Sequence, residues 1–385
     1  MYPDLSYVFH DLLGTPADNW LSIFKTFGLL LVLAILSAAF ILYHELRRKA
    51  REGLFEPKRV KIEIGKPPTA AEVASSGIWG FILGFKGVYA YQNFDALQAD
   101  AGAVLLSTAG SWSGGLVLGV LFAAYRYWKG ARQALPKPKQ AIRKIYPHDR
   151  IGDITVIAAI SGVVGAKLFA VIEDIPALLE DPVGTLLSGG GLAIYGGLIF
   201  GFLFVALYLR RKDIPLIHVL DAVAPALIIA YGVGRLGCHF SGDGDWGIVN
   251  AAAQPDWWVF PDWLWAYDYP HNVLQRGVPI EGCDMNYCTR LDPPVYPTPV
   301  YESLMAFAIG GILFGLRGKT KAYPGMLFCI YLMFNGIERF FIERVRINEV
   351  YSFLGTGLTQ AQFIAVSLFL IGLAGTLWFW RRGQR

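Results

Sequence analysis

Gly234-Arg235-Leu236-Gly237-Cys238-His239-Phe240-Ser241-Gly242-Asp243-Gly244-Asp245-Trp246-Gly247 follows directly on an apolar run, residues 214–233, and the pairing of the two decides the fold. The run has the length a helix needs to cross lipid, roughly 20 mostly apolar residues. The stretch after it sets an arginine, a histidine and two aspartates among glycines. Irregular backbone at membrane depth is tolerated only where protein or a wet cavity surrounds it. Gly234–Gly247 therefore reads as a turn-rich polar segment at the heart of an integral membrane site.

The rest of the chain agrees. Its 385 residues are 54% hydrophobic and 17% charged, with a mean hydropathy of +0.42. Soluble domains hold about 45–50% apolar and about 25% charged residues. About nine segments meet or approach spanning length: 23–43, 74–91, 103–126, 151–173, 192–209, 214–233, 301–316, 324–342 and 361–380. The segment 74–91 carries Lys86 and reads equally well as re-entrant. The first segment is too long, and too far from a small-residue cleavage site, for a signal peptide. The strand alternation of an outer-membrane barrel is missing. The expected fold is an all-α polytopic membrane protein with about nine spans, or as few as seven.

Charge placement orients it. Basic clusters follow the first span (Arg47, Arg48, Lys49, Arg51), fill 126–150, and recur at Arg210–Lys212, Arg317–Lys321 and Arg381–Arg385. With nine spans all of them fall on one side, which the positive-inside rule makes cytoplasmic. The N-terminus and the 234–299 segment then lie outside, and the C-terminus is cytoplasmic. The net charge of +4 resides in these clusters, and nothing in them suggests nucleic acid.

Two parts are expected: residues 1–150 as an N-terminal membrane segment with cytosolic loops and a strand at Val60–Ile64, and residues 151–385 as the core. The core carries an extracytoplasmic insert over 248–295, whose Trp257, Trp258, Trp263, Trp265, Tyr267 and Tyr269 suit a cap at headgroup level. An interface belt with no recognition role fits the same aromatics. No internal repeat supports an inverted-repeat transporter. Of four cysteines, Cys283 and Cys288 share the insert, where a bridge or two free thiols are both open. Cys238-His239 lacks spaced partners for a metal.

Several side chains carry chemistry. The run Gly189-Gly190-Gly191 to Tyr195-Gly196-Gly197 opens a span, fit either for an anionic head at a helix start or for close helix packing. Arg235 lies between glycines, free to turn inward. Arg339 lies within a span, where a charge is costly and usually functional. Glu343 and Arg346 continue its helical face, and Asn335 extends that face inward by one turn. A structural Arg339–Glu343 pair is the plain alternative. The arginine fork matches a phosphodiester better than a lysine point charge does. His239 is the candidate general base, since imidazole titrates near neutrality. Asp243 and Asp245 are placed to orient it or to bind glycerol hydroxyls, and Asp243 equally suits capping a turn. Tyr195 supplies a hydroxyl. Tyr301 and Glu302 begin a span, either facing the same chamber or capping the helix.

These residues resemble the prolipoprotein diacylglyceryl transferase family. Its glycine–arginine–x–glycine signature with a following acid and glycine is matched by Gly234, Arg235, Gly237, Asp243 and Gly247. Tyr195-Gly196-Gly197 stands for its histidine–glycine–glycine run, and Tyr301-Glu302 for its tyrosine–glutamate span start. Arg339, Glu343 and Arg346 match its late helix, and Phe27-Gly28 matches its first span loosely. Cys238 stands where the family has asparagine, Asp243 where it has glutamate, and Asn335 where it has tyrosine.

The resemblance implies a bacterial inner-membrane enzyme. It would move the diacylglyceryl group of phosphatidylglycerol to the thiol of a lipobox cysteine in a prolipoprotein signal peptide, releasing glycerol phosphate. Arg235 would bind the phospholipid and Arg339 would serve the phosphate. Phosphatidylglycerol, the signal peptide and membrane lipids are the implied partners, and no cofactor or metal is needed. A lipid or anion transporter lined by the intramembrane arginines is the alternative from another class.

Overall fold

The computed structural model describes residues 1–99, 101–187, 193–347 and 358–383. A short helix α1 (Leu5–Leu13) precedes α2 (Thr26–Arg51), and strand β1 (Lys58–Ile64) leads to α3 (Ala70–Gln92). Two short helices, α4 (Phe94–Ala99) and α5 (Ala101–Leu106), come before α6 (Trp112–Gln133) and strand β2 (Lys139–Ile145). Then follow α7 (Ile151–Glu173), the short α8 (Ile175–Glu180) and α9 (Pro182–Leu187), and α10 (Ile194–Arg211). After α11 (Leu216–Ser241) the insert contributes only the two-residue strands β3 (Val278–Pro279) and β4 (Thr289–Arg290). The chain closes with α12 (Thr298–Leu316), α13 (Met326–Ile342) and α14 (Gln360–Gly383).

Five of these helices are long and apolar enough to cross a membrane: Thr26–Arg51, Pro147–Glu173, Leu216–Ser241, Thr298–Leu316 and Gln360–Gly383. Many of their apolar side chains are exposed, Leu36 at 59% and Leu370 at 57% among them. Bare hydrocarbon on that scale suits lipid rather than water. The protein is a polytopic, all-α membrane protein.

The chain divides into two compact units, one of residues 1–55, 147–155 and 206–385, the other of 56–146 and 156–205. In the first, α11 packs against α2 and α12, and α13 against α14. A small core of Ala224, Ile228, Ala306, Ile309, Leu313 and Leu327 lies where α11, α12 and α13 meet. The Ser303 hydroxyl reaches the Gly232 carbonyl at 2.9 Å, joining α12 to α11. The free N–H groups at the start of α13 are met from α11. Asp221 accepts from Gly325 at 2.8 Å and Phe328 at 3.1 Å, with Lys49 3.6 Å away. That satisfies donors a helix start always leaves open. At α14, Thr359 and Gln362 cap each other's backbone N–H at 3.2 and 3.1 Å, a reciprocal box.

In the second unit α3 and α6 pack through glycine: a Cβ on Gly84 would fall 2.1 Å from the Gly114 carbonyl oxygen. Strands β1 and β2 pair antiparallel, Val60 opposite Arg143.

Several expectations change. The segment 103–126 is not one span: α5 stops at Leu106 and α6 starts afresh at Trp112, with Ser111 capping Gly114 N at 3.2 Å. Lys86 explains the break, donating to the Ser107 carbonyl and, at 2.8 Å, to that of Ala109. Gly234–Ser241 is helical rather than irregular, and α11 ends only at Gly242, whose φ of 64° favours glycine. Arg346 has left its helix: α13 ends at Ile342, a single 3-10 turn follows, and Arg346 is extended. Cys283 and Cys288 form a disulfide. The Gly189–Gly191 run lies outside the described residues.

Candidate active site

Three elements of the first unit deliver the charged groups. The last two turns of α11 carry Arg235, the start of α12 carries Glu302, and the end of α13 carries Arg339. Arg346 returns to them because the Gly242–Gly247 turn bridges to its segment, with Ile248 N donating to Val345 O at 2.8 Å.

Glu302 is fully buried and gathers all three arginines. Its Oε2 lies 2.5 Å from Arg235 Nε, and its Oε1 lies 2.9 Å from Arg346 Nη1 and 3.7 Å from Arg339 Nη1. Asp245 bridges two of the three from the turn, bound by Arg235 Nη1 and, at 3.0 Å, by Arg346 Nη2. Glu343 takes Arg339 Nη2 at 3.0 Å and the Thr359 hydroxyl at 3.0 Å. Each charge would be expensive alone at this depth, and the network supplies the partner each needs. Asp245 is its most exposed member, with 39% of its side chain open.

Electrostatics separate the two aspartates of the turn. Burial pushes Asp245 up, yet Arg235 and Arg346 outweigh it and hold the carboxyl below the usual range. Burial raises Asp243, the Cys238 thiol works against that, and neighbouring Asp245 raises it further. Asp243 accepts from Asp245 N at 3.2 Å, the turn-capping role open to it from the sequence. Cys238, Asp243 and Asp245 place ligand atoms within 4.8 Å of one another. With two guanidiniums already on Asp245, the group does not suit a cation.

Within the first unit, His239, Tyr301 and Asn335 stay out of the network's ion pairs. His239 is buried in an aromatic pocket, its Nδ1 3.3 Å from the Tyr269 hydroxyl and its ring stacked on Trp263 at 5.8 Å. Among the described residues no hydrogen bond or ion pair joins it to the arginines. Tyr301 turns away to donate to Leu264 O, tying α12 to the insert. Asn335 is half-buried one turn before Arg339. Tyr195, Gly196 and Gly197 belong to the second unit, where a Cβ on Gly196 would meet the Gly165 carbonyl oxygen of α7 at 2.3 Å. That contact is close helix packing.

Sequence reading gave Asp245 only a supporting part and passed over Tyr231 and Thr359. Tyr231 was legible as the residue one turn before Arg235; its hydroxyl lies 3.3 Å from Arg235 Nε. Thr359, far from any motif, left no such signal.

Fold and site together define a helical membrane protein built around a buried arginine–carboxylate network. The family model described as Prolipoprotein diacylglyceryl transferase matches residues 111–378, and the chain belongs to that family. A Corynebacterium glutamicum phosphatidylglycerol–prolipoprotein diacylglyceryl transferase is 31% identical over 203 residues, covering 51% of this chain and 60% of the relative. A Staphylococcus xylosus protein of the same name is 30% identical, covering 60% of this chain and 76% of its own. A Clostridium perfringens protein, numbered 2 under that name, is 27% identical over 61% and 81% of the two chains. The chain thus spans 60% of the length of the first of these curated relatives.

Proposed function

We propose that this protein transfers the diacylglyceryl group of phosphatidylglycerol to the thiol of a lipobox cysteine in a prolipoprotein, releasing glycerol phosphate. The observation that carries the proposal is the convergence of Arg235, Arg339 and Arg346 on the buried Glu302. The relatives' names supply the reaction. In this reading the protein lies in the bacterial inner membrane with seven to nine spans, its N-terminus and insert outside and its C-terminus in the cytoplasm.

The network suggests how phosphate is admitted. All three arginines already hold carboxylates, so an incoming phosphodiester must replace one. Asp245, on a glycine-flanked turn and the most exposed, is the one that yields between Arg235 and Arg346. A phosphate there keeps both guanidinium forks filled. The acyl chains remain in lipid. As the peptide sulfur attacks the glyceryl carbon, the carbon–oxygen bond to phosphate breaks, and the arginines hold the charge left on glycerol phosphate. Glu343, braced by Thr359, fixes Arg339. Gly196 and Gly197 serve helix packing, and no step is assigned to Tyr195 or His239.

The test is mass spectrometry of a cysteine-containing lipobox peptide after incubation with the purified protein and phosphatidylglycerol. The expected product has gained diacylglycerol less water. An unchanged peptide, with phosphatidylglycerol taken up by sealed vesicles carrying the protein, supports the transporter reading instead.

A further inference from the structure

The acceptor thiol must lose its proton to become a nucleophile, and the groups around the arginines are nearly all occupied. Asp245, Glu302 and Glu343 are each ion-paired to arginine. Asp243 accepts from the Asp245 backbone. His239 lies in its aromatic pocket.

Glu338 is the exception. It is 4% exposed, and its Oε1 has no hydrogen-bond partner among the described residues. No ion pair joins it to a described residue either. An ionisable side chain buried in an apolar helix, with one carboxylate oxygen left open among the described residues, is costly to keep and points to function. Its place also matters. Glu338 precedes Arg339 on α13, so it projects about 100° round the helix from that arginine, above Tyr331 two turns earlier. The charged and titratable groups acting on it are Glu302 of α12, Arg235 and Tyr231 of α11, Arg339 and Tyr331 of its own helix, and Arg346 beyond it. It therefore borders the arginine network without belonging to it. A carboxylate whose lone pairs are filled by guanidinium hydrogens cannot take up a proton, whereas one with an open oxygen can.

We propose that Glu338 is the catalytic base of the transfer, taking the proton from the lipobox thiol beside the arginine-held phosphate. The inference rests on the diacylglyceryl-transfer reading. The S–H proton moves to the Glu338 carboxylate, and the sulfur pair forms the carbon–sulfur bond. The carbon–oxygen bond to phosphate breaks, and its electron pair leaves on glycerol phosphate. That product, or water, then carries the proton away from Glu338.

The experiment uses the full chain in phosphatidylglycerol nanodiscs with two lipobox peptides, one with cysteine and one with selenocysteine, whose selenol is already ionised at neutral pH. Glu338→Gln is expected to lower kcat on the cysteine peptide about 10²–10⁴-fold near pH 7, with KM for phosphatidylglycerol changed less than about twofold. The loss should shrink as pH rises past the thiol's reference value of about 8.5. On the selenocysteine peptide the variant should come within about tenfold of wild type. Equal losses on both peptides, or a wild-type rate and pH profile on cysteine, overturn the assignment. If Glu338→Gln does not insert, Glu338→Asp carries the same comparison: a kcat loss confined to cysteine supports a base, and one shared by both peptides excludes it. Failure of wild type on both peptides sinks the transferase reading itself.

Discussion

Glu302 Oε2 sits 2.5 Å from Arg235 Nε, joining residues 67 apart in sequence, and no part of Glu302 is exposed. One carboxylate thereby holds together three like charges that would otherwise repel. Its removal should be felt as stability first. Glu302→Ala is expected to cost about 3–5 kcal/mol, the usual penalty for orphaning a buried charge. Thermal melting in detergent checks it; a midpoint equal to wild type would show that the arginines do not depend on Glu302.

Arg235 spends Nε on Glu302 and Nη1 on Asp245, two directions that one ammonium cannot serve. Arg235→Lys should therefore lose transfer at least tenfold although the charge is kept, and Arg235→Ala and Arg339→Ala should abolish it with insertion intact. Peptide mass gain per unit time is the readout. Full lipidation by either alanine variant removes that arginine from the chemistry.

His239 fills an aromatic pocket with Trp263, Tyr267 and Tyr269. His239→Gln should lower the melting temperature while leaving the pH profile of transfer in place. A slope lost near neutral pH in that variant would return the proton step to the imidazole.

Asp245 is held below the usual carboxylate range, since Arg235 and Arg346 outweigh its burial. A depressed carboxyl adds stability above its unfolded pKa, about 3.9, and loses it as pH falls through the lower folded value. The melting difference between wild type and Asp245→Asn should thus be constant from neutral pH to about 4 and vanish below it. A difference that persists unchanged at lower pH would mean Asp245 contributes shape rather than charge.

The long helices were legible because lipid makes apolar runs uninterrupted, so all but the first two residues of 214–233 fall within α11 and all of 361–380 within α14. The boundaries were less so. Gly234–Ser241 looked like loop by its glycines, but Gly237 lies against Phe27 and Leu30 of α2, and that packing keeps the helix going. The motifs pointed to Arg235, Glu302, Arg339 and Arg346, since a charge beside an apolar run stands out. Helical periodicity then misplaced Arg346, which is positioned by a backbone bridge to Gly247 rather than by its own helix. The choice of Asp245 over Asp243 as ion partner depends on turn geometry, which spacing does not encode. Glu338 lies off the Arg339 face, and that offset is what keeps it out of the arginine ion pairs.

Asp221 grips the first backbone donors of α13, and the arginine pair to Glu302 and Glu343 grips its last turn. A rod clamped at both ends can neither slide along its axis nor roll without tearing polar contacts out of a greasy medium. Traffic past it must then be handled by swinging side chains and not by helix travel, so freezing α13 with a cross-link to α11 at mid-length should leave turnover untouched.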